Sequence, residues 1–257
     1  MRAPIVTLTT DFGLSDHYVG SMKGVILRIC PGTPIIDISH EVTPYAIAEG
    51  AYLIAQAYLT FPRGSVHVVV VDPGVGSERR PILMEAAGQY FIAPDNGVLG
   101  MIIAREKHKV RAISNSRYFH HPVSQTFHGR DIFAPAGGHL ASGVRSSSFG
   151  KIIADYVRPS FAEPRQTGPK SWAGEILKVD HFGNIVTNFR AADFPRFEEI
   201  TIGVTNVGRL VRSYAESPSG ELVAIAGSSG YWEVSLNQGS AADRIGCRAG
   251  DACHIRV

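Results

Sequence analysis

The stretch Ser65-Val66-His67-Val68-Val69-Val70-Val71-Asp72-Pro73-Gly74 decides the fold. Four consecutive valines show no polar alternation, so a strand over 65–71 must be covered on both faces, as central strands of parallel sheets are. The run stops at aspartate, proline and glycine, the ordinary residues of a turn after a strand. Outward from it, Ile5 to Thr10, Pro34 to Ser39 and Gln89 to Ala93 read as further strands, with helices over Tyr18 to Ile29 and Glu49 to Tyr58. Strands alternating with helices predict an N-terminal α/β domain, residues 1–158, with a mostly parallel sheet flanked by helices.

Pro159, Pro164 and Pro169 punctuate a polar stretch, so 159–173 is expected to be a linker. Beyond it lie short alternating segments at 175–179, 185–189, 199–204, 221–226, 231–236 and 252–257. Such spacing predicts a small C-terminal β-barrel domain or sandwich over 174–257.

Of the 257 residues, 44% are hydrophobic and 19% charged, which is the composition of a globular protein. A net charge of +2 offers no sustained basic field, so a small molecule is expected as partner and nucleic acid is not. Cys30, Cys247 and Cys253 sit in apolar surroundings without a paired-ligand spacing, which predicts buried thiols and no metal. No run has the length of a membrane span, and Met1-Arg2-Ala3-Pro4 leads into a strand without an apolar signal core. The expected location is the cytoplasm.

In an open parallel sheet, ligands bind beyond the carboxyl ends of the strands. Three strands here end in Thr10-Asp11-Phe12-Gly13, Asp72-Pro73-Gly74 and Pro94-Asp95-Asn96-Gly97. Each aspartate alone is an ordinary turn former; together Asp11, Asp72 and Asp95 predict an acidic crevice, with Arg79 and Arg80 available as countercharge. His128, on a loop before the helical pattern of 134–141, can reach a ligand, whereas Arg130 and Asp131 read as a structural ion pair. Asp180-His181-Phe182-Gly183-Asn184 sets an aromatic beside an amide at a strand end, which suits a purine as well as it suits a tight hairpin.

In order along the chain, Thr9-Thr10-Asp11-Phe12-Gly13, Val71 to Gly76 with Arg79-Arg80, Pro94 to Gly97, Phe127-His128-Gly129-Arg130-Asp131-Ile132-Phe133-Ala134-Pro135 and Asp180 to Asn184 resemble the motifs of the S-adenosyl-L-methionine (SAM) hydroxide adenosyltransferases. The resemblance implies an N-terminal α/β domain joined to a C-terminal β-barrel, a homotrimer with sites between subunits, and hydrolysis of SAM to adenosine and L-methionine without a cofactor. It also implies site residues. Asp72, Arg79 and His128 match the water-handling triad, with Arg80 as the other candidate for its arginine, and Asp11 matches the ribose ligand. Asp180, Asn184, Ser228 and Ser229 match residues holding the methionine end and the adenine. Tyr45 and Phe182 match aromatic lining positions, and Asn237 lies in the last motif, where relatives often carry a neighbouring arginine and this chain has Leu236 and Gln238.

The chemistry suits those residues. Sulfur leaves as neutral methionine, so no leaving-group acid is needed; an oxygen nucleophile held in line behind the ribose 5′ carbon is. Asp11 can accept from both ribose hydroxyls, and Asp72 and His128 are both candidate bases for the water. In the halide-using branch that the resemblance also brings in, tyrosine replaces Asp72 and His128, and a carboxylate at that place would repel fluoride or chloride. A metal-dependent hydrolase with Asp11, Asp72 and His128 as ligands, or a non-catalytic adenosine or SAM binder, are the remaining classes.

Overall fold

The computed structural model describes residues 4–257. The chain divides into two compact units, Met1–Pro159 and Ser160–Val257. The protein is mixed α/β with two sheets, and no helix among the described residues is long and apolar enough to cross a membrane.

In the first unit the elements run β1 (Val6–Thr10), α1 (Tyr18–Ile29), β2 (Ile35–Ser39), α2 (Ile47–Ala57), β3 (Val66–Val70), β4 (Pro81–Ala86), β5 (Gln89–Pro94), α3 (Gly100–Ile103), β6 (His108–Ala112), α4 (Ala134–Ala141) and β7 (Ile152–Ile153). The sheet order is β2-β1-β3-β5-β4-β6-β7. Pairings β1/β2, β1/β3 and β3/β5 are parallel, and β4/β5, β4/β6 and β6/β7 antiparallel. The sheet is therefore mixed, parallel only in the half that the valine run organises. The antiparallel half follows from the β4–β5 hairpin, whose turn residues Ala87 and Gly88 have φ of 52° and 74°, the positive values that match the twist of paired strands.

β1 and β3 are buried along their whole length, as an unbroken apolar run requires. On one face Val6, Leu8, Val66, Val68 and Val70 join Met22 and Ile26 of α1 and Ala136 of α4 in one core. Fully burying each large aliphatic side chain there contributes about 1.5–3 kcal/mol. A Cβ at Gly137 would lie 2.8 Å from Val68 Cγ2, so α4 approaches β3 at a distance that a side chain would block. On the other face Thr7 Oγ1 meets His67 Nδ1 at 2.7 Å and His67 Nε2 meets Gln89 Oε1 at 2.5 Å. Burial holds the His67 imidazole down at about pKa 4.

The second unit runs β8 (Arg165–Gly168), β9 (Ser171–Val179), β10 (Ile185–Arg190), β11 (Glu199–Ile202), β12 (Thr205–Val207), β13 (Leu210–Val211), β14 (Leu222–Ala226), β15 (Tyr231–Leu236), α5 (Ala241–Ile245) and β16 (Ala252–Arg256). Its strands form a sheet in the order β12-β11-β16-β9-β10-β15-β14-β13, curled as a half-barrel, with β8 paired to β9. The stretch expected as linker thus contains a strand, β8, hydrogen-bonded back onto β9. Ile176, Ile185, Phe189, Trp232, Val234 and Ile255 pack on the inner face of this sheet.

Candidate active site

Two clefts, one in each unit, collect most of the residues singled out by sequence. In the first, Asp11 follows β1, Asp72 follows β3, and His128 stands just before a π-helical turn, Gly129–Phe133, that leads into α4. The parallel pairing of β1 with β3 brings their carboxyl ends side by side, so both aspartates reach a cleft of about 330 Å³. Tyr18, Tyr45, Phe127 and His128 line it too, and Tyr18 meets Phe127 edge-on with ring centroids 4.9 Å apart.

Asp72 and Arg79 form a fork-to-fork pair, Nε donating to Oδ1 at 2.9 Å and Nη2 to Oδ2 at 2.5 Å. Both side chains are nearly buried, and the guanidinium stacks 5.3 Å from the Phe133 ring centroid. Such a bidentate pair is strong and directional. Arg79 Nη2 also lies 2.7 Å from His128 Nδ1. A guanidinium can only donate, so Nδ1 must accept, which puts the imidazole proton on Nε2. Burial first, then the Arg79 cation, lowers the His128 pKa, so the ring is neutral near pH 7.

Asp11 is held differently. Its Oδ2 accepts from the Tyr45 backbone N–H at 2.9 Å, and Tyr45 adopts φ of 69°, a left-handed conformation that is strained for a residue with a Cβ. The Tyr45 ring is left 72% exposed over the cleft. Burial, opposed by the backbone hydrogen bonds and assisted by the Asp72 charge, raises the Asp11 pKa.

Asp95 does not join them. Its carboxylate takes Arg80 at 2.7 Å and 3.1 Å and the Val157 N–H at 2.8 Å, and Arg80 also reaches Asp155 at 3.0 Å. The third acidic turn is thus a clamp on the segment before Pro159, because Arg80 sits opposite it across the β4–β5 ladder. Of the two arginines that the sequence offered, Arg79 pairs with Asp72 and Arg80 with Asp95. Arg130 and Asp131 form the expected ion pair at 2.6 Å, anchored by Ser124.

In the second unit a groove of about 980 Å³ is lined by Asp180, Phe182, Asn184, Ser228 and Asn237 among others. Asp180 Oδ1 accepts from the backbone N–H of Phe182 (2.8 Å) and Asn184 (2.9 Å), and Oδ2 from Asn184 Nδ2 (2.9 Å). The segment is a tight hairpin turn, and it leaves the Phe182 ring 75% exposed at the groove. Asn237 Nδ2 is spent on the Ser217 carbonyl. The Ser229 hydroxyl is buried and has no hydrogen-bond partner among the described residues. Sequence reasoning missed Tyr214 and Glu233, which line the same groove. The available signal was an acidic residue inside the strand pattern 231–236.

Family models for the SAM hydroxide adenosyltransferase N-terminal and C-terminal domains match residues 6–150 and 174–254, which together span most of the chain. The chain belongs to the SAM hydroxide adenosyltransferase family. Within that family it is similar to the (R)-S-adenosyl-L-methionine hydrolase of Salinispora tropica, 34% identical over 98% of this chain and 97% of the relative. It also resembles a fluorinase from Nocardia brasiliensis, at 27% identity over 100% of this chain and 98% of that one. A solved structure of an uncharacterized conserved protein from Thermotoga maritima superposes with a TM-score of 0.88 at 35% identity, covering 98% of this chain and all of that one.

Proposed function

We propose that this SAM hydroxide adenosyltransferase hydrolyses S-adenosyl-L-methionine to adenosine and L-methionine, in the (R) form that its hydrolase relatives are named for. The observation that carries the reading is the hydrogen-bonded Asp72–Arg79–His128 constellation, whose Asp72 and His128 line one cleft with Asp11. Asp11 clamps the ribose hydroxyls. A water held in line with the C5′–S bond accepts a hydrogen bond from His128 Nε2–H and gives one to Asp72. As its oxygen bonds to C5′, the C5′–S electron pair leaves with sulfur, and the proton passes to Asp72. His128 cannot be the base, since Nδ1 faces a guanidinium and Nε2 already carries the proton. Arg79 orients the Asp72 carboxylate through two hydrogen bonds and fixes the imidazole tautomer in the same stroke.

Asp180, Asn184, Phe182, Ser228, Ser229 and Asn237 hold the methionine end and the base, with Tyr45 against the adenosine. In the same reading the domains are 1–158 and 174–257, joined through 159–173 with β8 inside that connection, the curled second sheet is a β-barrel, and the chain is a cytoplasmic homotrimer with sites between subunits. No metal or cofactor takes part. Use of a halide as nucleophile, the activity named in the fluorinase relative, is disfavoured by the Asp72 carboxylate at the position of attack. Incubation of protein with SAM, with and without chloride or fluoride, followed by chromatography, separates the two. Adenosine and methionine at equal rates in both arms are expected; a halide-dependent 5′-halo-adenosine as main product would overturn the reading.

A further inference from the structure

Asp11, the proposed ribose clamp, is flanked by backbone tied to the segment that follows β2. The register of β1 against β2 slips between Leu8 and Thr9, so that Thr9 faces Ser39 and the end of β1 meets His40. There Thr10 Oγ1 lies 2.8 Å from His40 Nδ1. The His40 carbonyl accepts from the Gly13 N–H at 2.8 Å, and the Thr10 carbonyl accepts from the Val42 N–H at 3.4 Å. Both side chains are buried, Thr10 completely and His40 all but 4%. Residues on either side of Asp11 are thus fastened to His40 and its neighbours, while the Asp11 carboxylate itself takes the Tyr45 N–H.

The far side of the His40 ring faces an ion pair. Nε2 lies 3.0 Å from Asp37 Oδ1 on β2, off the line of an ideal hydrogen bond, and Asp37 Oδ2 takes Lys23 Nζ of α1 at 2.6 Å. Partial burial would raise the Asp37 pKa, but the Lys23 and His40 contacts outweigh it and lower it, so the carboxyl is an anion at neutral pH. An anion beside Nε2 favours the proton on that nitrogen, which leaves Nδ1 as an acceptor and makes the Thr10 hydroxyl its donor. With its proton so committed, the Thr10 oxygen accepts from the Phe12 N–H at 3.3 Å. Carboxylate, imidazole and hydroxyl stand in the order of a nucleophile's triad. Thr10 is fully buried, however, and does not line the cleft, so its hydroxyl orients backbone and attacks nothing.

We infer that His40, oriented by Asp37, is a positioning residue that fixes the Thr10–Gly13 turn and thereby sets the Asp11 carboxylate against the ribose hydroxyls. This rests on the proposed hydrolase activity and on Asp11 as its ribose ligand, and it extends the site to a buried histidine that touches no substrate. A carboxylate discriminates for a hydroxyl only when its oxygens are held in hydrogen-bond geometry, so a loosened turn costs selectivity for the ribose before it costs the fold.

The test compares SAM with its 2′,3′-dideoxy analogue, measuring nucleoside release by wild type, His40→Leu, His40→Asn and Asp37→Asn. His40→Leu is expected to lower kcat/KM for SAM about 10-fold, the worth of one charged hydrogen bond, and to leave the analogue nearly unaffected. The wild-type preference for the ribose should therefore shrink by the same factor. His40→Asn, whose amide keeps an acceptor near the place of Nδ1, should retain most of that preference. Asp37→Asn, a change at a partly exposed position, should reduce it about threefold, and it decides the matter if His40→Leu does not fold. Equal losses on both substrates in His40→Leu, or a preference unmoved in Asp37→Asn, overturn the inference while leaving the hydrolase reading intact. A wild type without preference for the ribose overturns the Asp11 assignment and the inference with it; one that releases no adenosine from SAM overturns the hydrolase reading as well.

Discussion

Replacing Arg79 by lysine keeps the charge and removes the fork. In the wild type the guanidinium makes three contacts, to both Asp72 oxygens and to His128 Nδ1, from two nitrogens. One ammonium reaches a single carboxylate oxygen and leaves Nδ1 unpaired, so about two charge-assisted bonds are lost. At the low end of roughly 1.5 kcal/mol for each, the loss is about 3 kcal/mol, or on the order of 100-fold in kcat/KM. The imidazole is also released to take either tautomer. A companion variant, Arg79→Met, removes the cation that helps to depress the His128 pKa. His128 must be neutral to accept from Arg79, so wild-type activity falls as pH drops through a His128 pKa lying below the ordinary 6.5. With Met at 79 that acid limb should move up in pH; with Lys it should move little. The assay is kcat/KM for adenosine release from pH 5 to 9, with thermal melts as a check on folding. Arg79→Lys within threefold of wild type, or an acid limb unmoved in Arg79→Met, would refute the assignment of Arg79 as the residue that fixes Asp72 and the His128 tautomer.

Three further outcomes follow from the same geometry. His67 is pushed to about pKa 4 in the folded state against 6.5 unfolded, so the unfolded chain binds the extra proton and stability drops as pH falls from 6.5 towards 4. The loss between pH 7.5 and 5 is about 2 kcal/mol, read by denaturant melts, and His67→Gln should flatten that slope. Asp95→Ala breaks the clamp with Arg80 and Val157 and is expected to cost about 1–3 kcal/mol of stability, while kcat/KM stays within a few-fold of wild type. Exhaustive chelation should leave adenosine release unchanged; recovery of activity only on adding a divalent cation would contradict the metal-free mechanism.

The parallel half of the first sheet was legible because a four-valine run admits few environments, and β1, β2, β3 and β5 lie where the apolar patterns put them. β4 was not legible. Its turn is Ala87-Gly88, without the Asn-Gly or Asp-Gly signal of a two-residue hairpin, so the antiparallel half of the sheet left no local mark. Asp11 and Asp72 could be placed together from strand-end logic alone, yet the same logic wrongly added Asp95. Nothing local in Pro94-Asp95-Asn96 tells that Arg80 will sit across the ladder from it. His128 was visible as a loop histidine, but its contact with Arg79 spans 49 positions and depends on how Gly137 seats α4 against β3. Glu233 escaped for a different reason: an acid in a strand reads as solvent-facing until the Gly227 turn is seen to cover it.

In the proposed reaction, water held by Asp72 and His128 attacks the ribose 5′ carbon. Turnover of SAM in oxygen-18 water, followed by mass spectrometry of the adenosine, reports the origin of the 5′ oxygen. Label at the 5′ hydroxyl from wild type, with product formation falling steeply in Asp72→Ala and His128→Ala, is the predicted result. Unlabelled adenosine, or alanine variants as active as the wild type, would contradict it.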